Sequence, residues 1–107
     1  VTISPDGQTL ASGGYRIVEL WDLKTGELIR TLSGHSASVN SIAFTSDGKT
    51  LASGSHRTVK LWELKTGNLI RTLSGHLGCI FSVAFSPNGQ TLICGDEEGV
   101  KIWQLFT

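Results

Sequence analysis

Three histidines, two cysteines and a set of regularly placed serines are the side chains here whose types could do chemistry. A serine hydroxyl becomes a nucleophile when an imidazole takes its proton and an acid fixes that imidazole. His35 and Ser53 could supply the first two members, but no Asp recurs in register with them and no GxSxG elbow is present. The third histidine, His56, lies in a turn-like stretch, "SHR". Cys79 and Cys94 are too few and too widely spaced for the paired close ligands of a zinc site. No GxGxxG or GxxxxGK pattern stands ready to cradle a phosphate. The residues therefore predict no catalytic centre, no cofactor and no metal.

The elements that must position these side chains repeat. "WDLKTGELIRTLSGH", from Trp21 to His35, returns as "WELKTGNLIRTLSGH" from Trp62 to His76, with 13 of 15 letters unchanged at an offset of 41. Trp21, Trp62 and Trp103 keep that offset, and "PDGQTLASGG" recurs as "SDGKTLASGS" and "PNGQTLICGD". The period runs through the whole chain as about two and a half copies. It sets Cys79 on Ser38, and Cys94 on Ser12 and Ser53, so each thiol replaces a small side chain and reads as a small buried or half-buried group. A residue present in every copy is more simply a packing device than a catalyst, which needs one asymmetric constellation.

Within each copy, short runs rich in β-branched and aromatic residues alternate with turn chemistry. "SIAF", "TLAS", "TVKLWEL" and "NLIRTL" are separated by "SDG", "SHR", "KTG" and "SGH", which predicts four strands per copy. In "SPDG" and "SPNG" the proline presets one backbone angle, the Asp or Asn closes a local hydrogen bond, and the glycine takes positive φ. No helical apolar period of useful length appears, so the chain is all-β. The three tryptophans have a sufficient structural reason. Each can bury about 150–250 Å², worth roughly 4–6 kcal/mol before entropy.

Composition narrows the function classes. The 107 residues carry nine basic and nine acidic side chains, for a formal charge of zero, and no two Lys or Arg are adjacent. That balance argues against a nucleic-acid binder. No apolar stretch reaches the length of a membrane span, and no leader-like segment opens the chain, so the expected location is cytoplasmic.

These features together resemble the WD-repeat β-propellers, with Gly34-His35 and Gly75-His76 near one end of the unit and Trp21-Asp22, Trp62-Glu63 and Trp103-Gln104 near the other. The resemblance covers the whole chain. It implies four-stranded antiparallel blades of a partial propeller, divided as 1–35, 36–76 and an incomplete 77–107, serving as a non-catalytic platform for protein partners. It also implies a buried hydrogen-bonded set of histidine, serine, tryptophan and a turn aspartate. His35, Ser53 and Trp62 match three of its places in one blade, and His76 and Trp103 match two in the next, where Cys94 stands at the hydroxyl position. Trp21 is the corresponding tryptophan of the first. The aspartate is the departure: "SGGYRIVELW" and "SGSHRTVKLW" are one residue short and lack an acid, while "CGDEEGVKIW" offers Asp96, Glu97 or Glu98. His35 is therefore expected to be weakly anchored.

Function must live where the copies differ. Substitutions concentrate where "SASVN" faces "LGCIF" and where "YR", "HR" and "EE" face one another. The expected partner-binding rim is Tyr15, Arg16, Asn40, His56, Arg57, Leu77 and Phe81, with a protein as partner and neither nucleic acid nor membrane. The alternative is a structural or oligomerisation segment that self-associates through open blade faces. Val1 enters partway along an innermost strand, and the chain contains no Met, so it reads as the C-terminal part of a larger propeller.

Overall fold

The computed structural model describes residues 1–105, apart from the side chains of His76 and Leu77. Ten strands follow in order: β1 (Thr2–Ile3), β2 (Thr9–Gly13), β3 (Tyr15–Asp22), β4 (Leu28–Ser38), β5 (Ser41–Phe44), β6 (Thr50–Gly54), β7 (His56–Glu63), β8 (Leu69–Phe85), β9 (Thr91–Asp96) and β10 (Gly99–Gln104). All pairings are antiparallel. They build one sheet in the order β1-β2-β3-β4 and a second in the order β5-β6-β7-β8-β9-β10. The second sheet holds two blades, because β8 pairs with β7 through Leu69–Ser74 and with β9 through Ile80–Phe85.

Two expectations change here. In place of a separator at "SGH", the strand runs through it: β4 contains Ser33 to His35, and β8 contains Ser74 to His76. Positive φ at Gly34 (146°) and Gly75 (109°) lets extended backbone bend out of one blade toward the next without a reversing turn. His56 likewise opens β7, opposite Cys79, rather than lying in a turn. The corners that do reverse the chain follow the sequence. Gly7, Gly48 and Gly89 all sit at φ of 72–73°, each beside an Asp or Asn whose side chain accepts a backbone N–H two residues on.

The strand period of two explains the core. In β6, Leu51 and Ser53 look toward the first blade while Ala52 looks toward the third; in β7, Trp62 looks one way and Val59 and Leu61 the other. The first apolar cluster joins Ala11, Val18, Leu20 and Leu32 to Leu51, Trp62, Ile42, Phe44 and Leu64. The second repeats it 41 residues on, joining Ala52, Val59, Leu61 and Leu73 to Leu92, Trp103, Val83, Phe85 and Leu105. Trp62 and Trp103 thus pack on the blade before them. Trp62 is buried, whereas Trp21 and Trp103 are half-buried. Gly54 is required by close approach: a Cβ there would lie 2.7 Å from Ile80 Cγ2 and 2.6 Å from Ser41 Oγ.

Candidate interaction rim

The histidine set comes together across the contact between the first and middle blades, with His35 on β4 and Ser53 and Trp62 on β6 and β7. His35 Nε2 lies 2.6 Å from Ser53 Oγ, Trp62 Nε1 donates to the same oxygen at 2.8 Å, and all three side chains are buried. The imidazole and indole centroids are 6.4 Å apart at 56°. Where the third copy carries Asp96, the second carries Ser55, whose hydroxyl donates to the Ser38 carbonyl at 2.6 Å. With no carboxylate beside it, His35 stays neutral: burial first, and the Lys60 charge second, hold its pKa near 4 rather than 6.5. A neutral, buried imidazole bonded to a hydroxyl that already accepts from Trp62 is a packing lock.

The neighbouring copies vary the theme. Trp21 Nε1 donates to Ser12 Oγ at 3.2 Å. In the third copy Asp96 is the buried acid of the three candidates, its Oδ1 accepting the Glu98 N–H at 2.9 Å, while Glu97 and Glu98 are exposed. His76 belongs to this copy, and its side chain lies outside the described residues. Cys94 is buried, and burial followed by the Asp96 charge pushes its thiol up to about 11. Cys79 is half-buried, with Sγ 3.5 Å from His56 Nδ1. Thiolate reactivity follows exposure and ionisation. A thiol reagent at neutral pH should therefore label Cys79 in the folded chain and reach Cys94 only after denaturation. Peptide mass mapping checks this, and equal native labelling of both would contradict it.

The residues that individualise the copies gather at one end of the strands. The corner Tyr15-Arg16 is closed by Gly14 N–H on Ile17 O at 2.9 Å, and the corner His56-Arg57 by Ser55 N–H on Thr58 O at 3.0 Å. The connections between blades are stitched to these corners by Val39 N–H on Gly14 O, Asn40 N–H on Gly54 O and Ile80 N–H on Ser55 O, all at 2.8–2.9 Å. Tyr15, Arg16, Asn40, His56, Arg57 and Phe81 are all exposed; Phe81 is the unpaired residue of a bulge between Ile80 and Ser82. The side chain of Leu77 lies outside the described residues.

The two arginines carry a feature invisible in the sequence. Arg16 and Arg57 have φ of +70° and +65°, the only non-glycine positive values among the described residues. A two-residue hairpin corner favours positive φ, which Gly or Asn supplies cheaply. For a side chain with a Cβ the left-handed region costs about 1–2 kcal/mol. Arg16 also stacks over the Tyr15 ring, with the guanidinium carbon 5.1 Å from the centroid. At the opposite end of the strands lies a concavity of about 770 Å³, lined by Asp47, Lys49, Glu63, Lys65 and Ile70 among others, with both charge signs mixed.

Stacked four-stranded antiparallel sheets, a 41-residue register and the His-Ser-Trp bridge now stand beside the family comparison. The model described as "WD domain, G-beta repeat" matches residues 1–22, 26–63 and 67–104. The chain belongs to the WD-repeat family. The second and third matches each begin just before an outer strand, so a sequence repeat joins that strand to three strands of the next blade. Among relatives, human WD repeat-containing protein 43 is 48% identical over 44 residues, which span 41% of this chain and 6% of that protein. An uncharacterized WD repeat-containing protein of Synechocystis is 40% identical over 47 residues, 42% of this chain and 14% of its own. U3 snoRNP-associated protein-like YAOH of rice is 40% identical over 45 residues, 41% and 9% respectively. The chain therefore spans a small fraction of the relatives it matches. WD repeats serve in general as protein-interaction scaffolds rather than as catalysts.

Proposed function

We propose that these WD repeats form a non-catalytic docking platform whose rim of Tyr15, Arg16, Asn40, His56, Arg57 and Phe81 receives an acidic segment of a protein partner. The observation that carries this is the pair of arginines at positive φ. Strained, exposed, charged corners persist where something other than folding stability favours them. Glu97 and Glu98 occupy the same corner in the third copy and reverse the sign. Charge alternation along a rim fixes a ligand's direction more than it adds affinity. The greater length of the relatives supports placing these blades in a larger propeller.

Stability and binding should separate in one variant. Arg57→Gly removes the backbone strain, and after glycine's own entropy cost it should leave stability unchanged or raise it by up to about 1 kcal/mol. The same variant, and Phe81→Ala, should lose partners captured by the wild-type rim. Thermal unfolding with quantitative pull-down in parallel checks both halves. Unchanged capture by folded variants would remove the rim from consideration.

A further inference from the structure

Three corners of this chain share one hydrogen-bond pattern but not one residue. Asp6 Oδ1 accepts the Ser4 hydroxyl at 2.6 Å and the Gln8 N–H at 3.0 Å, and Asp47 Oδ1 accepts the Thr45 hydroxyl at 2.5 Å and the Lys49 N–H at 2.9 Å. In the third copy an amide stands in that place: Asn88 Oδ1 accepts the Ser86 hydroxyl at 2.7 Å and the Gln90 N–H at 3.0 Å. A carboxylate suits the place better, because both partners are donors and a charge on the acceptor strengthens each bond. After each of the three comes a glycine at φ of 72–73°, whose N–H donates to the Ser4, Thr45 or Ser86 carbonyl at 2.9 Å. Asp47 is exposed although a blade flanks it on either side, so the exposure of its counterpart Asn88 belongs to the corner itself.

An asparagine followed by glycine carries its own reagent. The backbone nitrogen of the next residue attacks the side-chain carbonyl carbon, closes a succinimide ring and expels the amide nitrogen as ammonia, and glycine leaves that nitrogen unhindered because it has no Cβ. Water then opens the ring at either carbonyl, giving aspartate or its isoaspartyl isomer. Asn40 and Asn68 are followed by Ser41 and Leu69, whose side chains crowd this approach, so Asn88 is the one asparagine of the sequence set up for it. We infer that Asn88 is a site of spontaneous deamidation, held shut by the folded corner and opened by unfolding, whose aspartyl product takes the place that Asp6 and Asp47 fill in the other copies. The attacking nitrogen is that of Gly89, and its hydrogen is given to the Ser86 carbonyl in the folded chain. The carbonyl under attack is pinned by the Ser86 hydroxyl and the Gln90 N–H, so both reactants stay tied into the turn until the corner opens locally. The aspartyl product completes a set of three acidic corners. The isoaspartyl product lengthens the backbone by a carbon and pulls Gly89 away from Ser86. Either change runs one way, since ammonia is lost. This inference is independent of the rim: Asp47, the counterpart of Asn88, lines the concavity at the opposite end of the strands.

The test incubates the 107-residue chain at mildly alkaline pH, folded in buffer and unfolded in guanidinium chloride, with far-UV circular dichroism verifying each state. Isotope-resolved mass spectrometry follows the peptide that carries Asn88. The unfolded chain should convert there at least about tenfold faster than the folded one, a ratio that reports how seldom the corner opens. Asn40 and Asn68 should stay unchanged over the same time. Ser86→Ala releases Asn88 Oδ1 from one of its bonds, so it should raise the folded rate severalfold and leave the unfolded rate as it was. Asn88→Asp should fold as the wild type does, with an unfolding midpoint no lower. Equal rates in the two states, no conversion in the unfolded chain, a folded Ser86→Ala rate equal to the wild type's, or a destabilised Asn88→Asp would each overturn the inference.

Discussion

Ser53→Ala should lower the stability of this chain by about 2–4 kcal/mol, because it leaves two buried ring nitrogens without a partner. Ser53 Oγ accepts the Trp62 Nε1 proton and faces His35 Nε2, all within the contact between the first two blades. Removing the hydroxyl deletes little volume but exposes each nitrogen's full desolvation cost. For a domain of this size the loss corresponds to a fall in Tm of roughly 10–20 °C. Ser12→Ala is the matched control. Ser12 bonds Trp21 through the same geometry, but Trp21 is half-buried and water can replace the hydroxyl, so the cost should stay near 1 kcal/mol. Thermal or urea unfolding of both variants decides the point, and equal losses would show that the bridge at Ser53 is no more than a surface bond.

Acidification should destabilise the chain through His35. Its folded pKa is near 4 against an ordinary 6.5, so between those values the unfolded chain binds a proton that the folded chain refuses. Stability from this residue is complete above pH 6.5, falls as pH drops toward 4, and then levels off. The full excursion is about 3 kcal/mol. Asp6 and Asp47 are held below the usual carboxylate range by hydrogen bonds from the Ser4 and Thr45 hydroxyls and from backbone N–H groups. They are lost only below that range, so the two windows separate. Unfolding free energies of wild type and His35→Gln from pH 7 to pH 4 provide the measurement. The wild-type slope should be strongly reduced in the variant, and parallel curves would assign the acid sensitivity elsewhere.

Much of this protein was legible because a repeat is a local statement made more than once. The 41-residue period, the turn glycines and the alternating strands fixed the all-β class and carried the resemblance to the WD-repeat family, and it was that resemblance, laid residue by residue on this chain, that implied the partners His35, Ser53 and Trp62. The missing acid beside His35 was legible too, from one absent residue. What the linear pattern left open was decided by three-dimensional pairing. Backbone pairing carried β4 and β8 straight through "SGH" and brought His56 within reach of Cys79, because a glycine at positive φ can bend a strand as readily as end it. Only the closed corners placed Arg16 and Arg57 in the left-handed region, since no arginine announces its own φ. Burial was settled last: Val18, Val59 and Val100 are one residue type in one register, and the presence or absence of a covering blade alone makes two of them core and the third a surface.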